Sequence, residues 1–199
     1  MTVDGQMAMN GTEVTEASQV KLDGQTVEAS TAKTTIMLNK PVGYVCSRNG
    51  QGSQTIYDLL PKQYHHLNPV GRLDKDSSGL LLLTNDGDLA NQLTHPRYAK
   101  TKRYEVRLDK PLQPLHQQMI ADYGVMLEDG KSRFAVSRLD TAPVTYEVLM
   151  TEGRNRQIRR TFHALDYTVT HLHRTHFGPY SLRQLSEGDT LLTNHAPSA

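Results

Sequence analysis

The stretch Leu80-Leu81-Leu82-Leu83, set between Gly79 and Asn85-Asp86-Gly87, restricts the fold more than any other part of the chain. A short apolar run closed by turn residues predicts a fully buried strand. Other elements are arranged around it. Thr35–Asn39 predicts a compact strand stopped by Pro41 and Gly43. Thr55-Ile56-Tyr57-Asp58 resembles a capping-box helix start, with Leu59-Leu60-Pro61 as its end. Asp88–Leu93 predicts a helix finished before Pro96, and Arg156–Leu165 predicts another. Tyr104–Leu108 and Val144–Met150 alternate as strands do, and Tyr180–Leu192 carries strand and turn signals. Strands and helices mix without a βαβ period, which predicts an α+β fold.

Residues 1–33 differ from the rest. They are polar and turn-rich, with Asp4-Gly5, Asn10-Gly11 and Asp23-Gly24 between short Val-containing stretches, so two or three small strands are expected. Thr31–Thr35 reads as a linker, which divides the chain into residues 1–33 and 34–199. At 37% hydrophobic and 22% charged residues the composition is that of a globular protein. No run approaches the ~20 apolar residues that cross a membrane. Met1–Asn10 has no basic or apolar leader pattern. A single cysteine, Cys46, can form no internal disulfide and cannot alone build a zinc site. These features point to the cytoplasm and to no membrane.

The net charge of +1 says nothing about partners, but its distribution does. Residues 1–30 hold Asp4, Glu13, Glu16, Asp23 and Glu28 against Lys21, a net of −4, which leaves +5 for the other 169 residues. Much of that charge falls in two clusters. One is Arg97, Lys100, Lys102, Arg103 and Arg107 around Tyr104; the other is Arg154, Arg156, Arg159 and Arg160. Clustered cations with an interleaved aromatic suit a nucleic acid whose base is stacked while its backbone is neutralised. On a helical wheel Ile158, Thr161, Phe162 and Leu165 gather on one side. Arg156, Arg160 and His163 lie opposite, and Arg159 falls at the edge.

The chemical centre is Val70-Gly71-Arg72-Leu73-Asp74-Lys75-Asp76-Ser77-Ser78-Gly79. Here a carboxylate sits in a loop held by the buried strand behind it. Most loop aspartates only cap turns, and spacing alone does not separate that role from a nucleophile or base. His171 and His173 can share a strand face, and with His176 they would be a candidate metal group, although no carboxylate or cysteine accompanies them.

Four ordered motifs break the tie. Asn39-Lys40-Pro41-Val42-Gly43 with Ser47 comes first. Gly71-Arg72-Leu73-Asp74 running into Ser78-Gly79-Leu80 and Asn85-Asp86-Gly87 follows. His95-Pro96 with Lys102-Arg103-Tyr104 is third, and Glu152 to Arg160 is last. Together they resemble the RsuA/RluB-type ribosomal RNA pseudouridine synthases over residues 35–192. The resemblance implies the fold of that family, a mixed and mainly antiparallel central sheet with flanking helices and loops around an active-site cleft. It implies isomerisation of a uridine by C1′–N1 cleavage, base rotation and C1′–C5 bond formation, with no metal and no organic cofactor.

The resemblance makes Asp74 the catalytic carboxylate, with Arg159 paired to it and Tyr104 against the target uracil. Lys40, Arg72, Lys102, Arg154, Arg156 and Arg160 are then expected to contact RNA. Whether Asp74 attacks C1′ or takes the 2′ proton stays open. The expected partner is ribosomal RNA or a pre-ribosomal particle, with tRNA also open, and the expected state is a monomer. The family commonly carries an N-terminal S4 RNA-binding domain; residues 2–30 resemble only its strand-rich end. The rival readings are a non-catalytic RNA-binding or ribosome-assembly protein on the same fold, and a glycosidase releasing free uracil.

Overall fold

A computed structural model describes residues 1–15, 17–27, 32–139 and 142–193. The chain divides into two compact units, Met1–Lys33 and Thr34–Ala199. The first unit holds β1 (Thr2–Val3), β2 (Gln6–Met7), β3 (Val20–Leu22) and β4 (Gln25–Thr26), in the order β2-β1-β3-β4. Its two hairpins turn at Asp4-Gly5 and Asp23-Gly24, where all four residues have positive φ. That geometry demands Asp, Asn or Gly. The sequence signals for the turns are right, and among the described residues the strands number four rather than two or three. Thr31 lies outside the described residues, and Thr35 already belongs to a strand.

The second unit is built on one large sheet. Its strands are β5 (Thr35–Lys40), β6 (Asn68–Val70), β7 (Ser78–Thr84), β8 (Lys102–Leu108), β11 (Ala135–Arg138), β12 (Thr145–Met150), β13 (Val169–Phe177), β14 (Tyr180–Ser181) and β15 (Thr190–Leu192). The order is β11-β12-β8-β13-β7-β5-β15, with β6 beside β7 and β14 beside β13. Every pairing is antiparallel except β13 with β7. A separate hairpin joins β9 (Val125–Leu127) to β10 (Gly130–Ser132). The helices are α1 (Gly87–Thr94), α2 (Pro114–Gln118), which runs into a π-turn at Met119–Tyr123, and α3 (Gln157–His163). Thr55–Asp58 yields a single 3₁₀ turn rather than an α-helix, fastened by Asp58 accepting from the Thr55 N–H at 2.7 Å.

Strand β7 is buried along its whole length. Leu81 and Leu83 enter one core with Ile36, Leu38 and Val106, while Leu80 and Leu82 enter a second with Val70, Leu89 and Phe177. A strand with a core on each face needs no polar alternation, which is why this sequence has none. All four leucines are fully inaccessible; burying each is worth roughly 2 kcal/mol. Asp86 ends the strand and starts α1, its carboxylate accepting from the Asp88 and Leu89 N–H groups at 3.0 and 3.2 Å. The loop of residues 71–77 thus hangs from a strand that is buried along its whole length.

Candidate active site

The loop carrying Asp74 is fixed from below by Lys40. This side chain is fully buried, and its ammonium donates to the carbonyls of Pro41, Asp74 and Ser77 at 2.9, 3.1 and 2.7 Å. An ammonium has three N–H donors, and all three are used. Lys40 therefore cannot meet a phosphate, contrary to the sequence expectation: Pro41 turns the chain beneath the loop, and the lysine becomes its internal brace. Burial pushes the Lys40 pKa down. Cys46 adds a second fastening, its sulfur lying 3.3 Å from the Leu73 carbonyl and 3.4 Å from the Leu73 N–H.

The arginines of the late motif hold the loop from above, in a pattern the helical wheel did not give. α3 begins at Gln157, and Arg156 lies outside it in the left-handed region (φ 47°). From there its guanidinium grips Asp76 through both oxygens, at 2.9 and 2.8 Å, and stands 3.6 Å from Asp74 Oδ2. Arg159, in the first helical turn, reaches backbone instead. It donates to the carbonyls of Val169 (2.9 Å) and Asp76 (2.7 Å) and to Ser77 Oγ (3.3 Å), with its Nε 3.3 Å from Asp76 Oδ2. The ion-pair partner of Asp74 is thus Arg156, not Arg159. Asp76, which sequence reasoning passed over, is the acid that joins the two arginines. The Arg156 hydrogen bonds outweigh burial and hold its carboxyl below the usual range. The one signal for it was a second acid two residues after Asp74.

Arg154 and Arg160 are also engaged internally. Arg154 donates to Asp129 Oδ1 and to the carbonyls of Asp129, Gly130 and Lys131, at 2.9–3.1 Å. Arg160 donates to Asp129 Oδ2 at 2.7 Å and to the Asn155 carbonyl at 2.9 Å. The buried amide of Gln157 completes this seam, bonding Ser132 Oγ at 3.0 Å, the Glu152 carboxylate and the Arg154 N–H. Two cations expected on phosphates therefore bolt α3 to the β9–β10 hairpin.

Between the loop and the sheet lies a cleft of about 580 Å³. Of the nine expected residues, Asp74, Tyr104, Arg72, Lys102, Arg154 and Arg156 line it, whereas Lys40, Arg159 and Arg160 do not. Arg72 is exposed at its rim. Tyr104 is 8% exposed on the floor, and among the described residues its hydroxyl makes no hydrogen bond. Lys102 stands beside it, with burial pushing its pKa down and Nζ 5.3 Å from the Phe177 ring centroid. Two lining residues, Arg174 and Phe177, were missed because the segment 170–179 drew attention only for its histidines. Those histidines lie on the other side of β13. His171 and His173 stack at 5.8 Å, and His173 Nδ1 bonds Ser78 Oγ at 2.8 Å. No group of three metal-ligating side chains occurs among the described residues, and no helix there is long and apolar enough to cross a membrane.

A carboxylate, a phenol and cations line one cleft on a mainly antiparallel sheet, an arrangement suited to a polyanion bearing an aromatic base. Residues 34–164 match the family profile described as RNA pseudouridylate synthase. The chain is 35% identical to "Ribosomal large subunit pseudouridine synthase B" of Bacillus subtilis, the match covering 96% of this chain and 84% of that one. It is also 35% identical to "Ribosomal small subunit pseudouridine synthase A" of Yersinia pestis, covering 92% and 78%. A crystal structure of a pseudouridylate synthase superposes with a TM-score of 0.77 at 28% identity, covering 97% of this chain and 84% of that one. The chain belongs to the RNA pseudouridylate synthase family and is an isomerase of that class.

Proposed function

We propose that this protein converts a uridine of ribosomal RNA to pseudouridine with Asp74 as the catalytic carboxylate. What carries the reading is that Asp74 and Tyr104 face one cleft while Arg156 stands 3.6 Å from the Asp74 carboxylate. Large- and small-subunit enzymes are related to this chain at the same identity, so ribosomal RNA is the substrate class and the subunit is what mapping must decide. The four-stranded sheet of residues 1–33 is taken as the strand-rich end of an S4-type RNA-binding module, and the site of action as the cytoplasm.

A uridine stacked in RNA hides its glycosidic bond, so the nucleotide must first swing out, at a cost of a few kcal/mol. Arg72 at the rim and Lys102 on the floor are placed to hold the phosphates of the displaced nucleotide, which offsets that cost. Tyr104 supplies a flat face for the extruded ring. Asp74 either bonds to C1′ or removes the 2′ proton as C1′–N1 breaks. The base rotates, C5 bonds to C1′, and the C5 proton is exchanged for one on N1. Arg156, 3.6 Å from the Asp74 carboxylate, supplies its counter-charge once the base has displaced water. Lys40 and Arg159 keep the loop backbone in place throughout.

The test is unmodified ribosomal RNA tritiated at uracil C5. Tritium release with pseudouridine in the digest is the expected result. Free uracil would mean a glycosidase, and no change a binding protein. Asp74→Asn should lower turnover by at least ~10⁴-fold while RNA affinity stays within a few-fold; retained turnover would remove Asp74 from this role.

A further inference from the structure

The floor of the cleft carries a cation that the mechanism above does not use. Arg174 on β13 is 2% exposed. Its Nε donates to the Leu80 carbonyl at 2.8 Å, and its guanidinium lies 4.8 Å from the Phe177 ring centroid. Its Nη2 is buried and has no hydrogen-bond partner. Among the described residues no carboxylate pairs with it. Buried arginines are ordinarily matched by an acid, because an unpaired charge away from water is costly. Five less buried arginines of this unit each have an acid beside them, on Asp74, Asp76, Asp129, Glu147 and Glu152. Arg174, more deeply buried than any of them, does not.

Its position is set by backbone, not by chance packing. Arg174 is the antiparallel partner of Tyr104 and the parallel partner of Gly79. Directly opposed residues project from the same side of a sheet, so the guanidinium rises beside the phenol ring that faces the base. At Gly79 (φ +108°) a Cβ would stand 2.3 Å from the Arg174 carbonyl oxygen. The glycine of the Asp74 motif is therefore what lets β13 pass close enough to deliver this side chain. Lys102, the other cation on the floor, shares the Phe177 ring and likewise has no acid in ion-pair contact.

We propose that Arg174 is a catalytic residue that binds the detached uracil as an anion. This rests on the reaction assigned above. When C1′–N1 breaks, the bonding pair leaves with the base, and uracil carries a negative charge spread over N1 and its carbonyl oxygens. The charge persists until C5 bonds to C1′, which neutralises the base; the C5 proton is then passed on and N1 takes one up. A donor fixed in a dry site before the charge develops is worth far more than one in water. The missing counter-charge of Arg174 is thus one that exists only during the reaction. The neutral uridine does not satisfy it, so the arginine favours the cleaved state over the bound substrate.

The experiment is single-turnover conversion of RNA carrying either uridine or 5-fluorouridine at the target position, followed as loss of that nucleoside in digests. Fluorine stabilises the uracil anion and lessens the need for a cation. Arg174→Met should slow uridine conversion by ~100-fold or more, with RNA affinity within about threefold of wild type. On 5-fluorouridine the loss should shrink to ~10-fold. Arg174→Lys should show the same substrate dependence at a smaller amplitude, and it carries the test if the Met variant fails to melt cooperatively. Equal losses on both substrates would make Arg174 structural and overturn the proposal. A drop in RNA affinity as large as the drop in rate would make it a phosphate contact, with the same consequence. If the wild-type protein isomerises no uridine, it is the functional reading that falls; normal conversion by Arg174→Met removes only the role of the arginine.

Discussion

Strands β8 and β13 present two sides, and the same residue types behave differently on each. Toward the cleft stand Lys102, Tyr104, Arg174 and Phe177, and toward the other side Arg103, Glu105, Arg107, His171, His173 and His176. On that outer side, charges are mixed and partnered. Arg103 pairs with Glu147 at 3.3 Å, Glu105 lies across from His173, and the remainder meet water. On the cleft side neither of the two cations forms an ion pair among the described residues. A cation marks a ligand site here not by its presence in a basic cluster but by the absence of a counter-charge within the protein. Counting the charges near Tyr104 gives equal weight to Arg103 and Lys102, and only the pleat distinguishes them.

The contrast breaks most completely if β13 is pushed away from β7. Gly79→Ala adds a methyl 2.3 Å from one backbone atom of Arg174 and 2.5 Å from another, at a φ of +108°. Strain and overpacking together should cost on the order of 4 kcal/mol, read as a shift in denaturant midpoint. A loss below about 1 kcal/mol would show that the two strands separate easily and that Arg174 is not delivered by this contact. A smaller effect sharpens the contrast. Lys102→Met should reduce the slope of log affinity against log salt by about 1, the signature of one lost phosphate contact. Arg103→Gln, one residue away on the other side, should leave that slope unchanged and cost less than about 1 kcal/mol of stability, since it loses only a half-exposed pair. Equal slope changes in the two variants would mean that RNA wraps both sides of the sheet.

What the sequence made legible follows the range of the forces involved. Leu80–Leu83, the helix expected over Asp88–Leu93 and the glycine turns at Asp4 and Asp23 are decided within a few residues, and each appears where local reasoning put it. Asp74 and Tyr104 were placed by motif, and they do share a cleft. The errors concern side chains whose partners are distant in sequence. Arg156 was drawn on a helical wheel, but its positive φ removes it from the helix and turns it onto an acid 80 residues away. Lys40 reads as a surface cation until the loop closing over it takes all three of its donors. Arg154 and Arg160 find Asp129 on the β9–β10 hairpin, which no periodicity announced because its strands are three residues each. Arg174 was hidden by its neighbours, since alternation places it among histidines that face the other way.

Those histidines give the smallest expected effect. His173 has Ser78 Oγ on its Nδ1 at 2.8 Å and the ring of His171 stacked at 5.8 Å. Burial, then His171, pushes its pKa down, while Glu105 and Glu187 oppose the shift without cancelling it. Because the folded value lies below the ordinary ~6.5 of imidazole, the unfolded chain binds the proton first. Stability from this source is therefore complete above the ordinary value, falls as pH drops below it, and stops falling once folded His173 is itself protonated. His176, also lowered by burial and by Arg103, adds in the same direction. Replacing His173 with Asn should flatten the decline in denaturant midpoint between about pH 7.5 and about pH 5.5 without altering the salt slope for RNA. A variant with an undiminished decline would place the titration elsewhere. A variant with a changed salt slope would count His173 among the RNA contacts and remove the distinction between the two sides of the sheet.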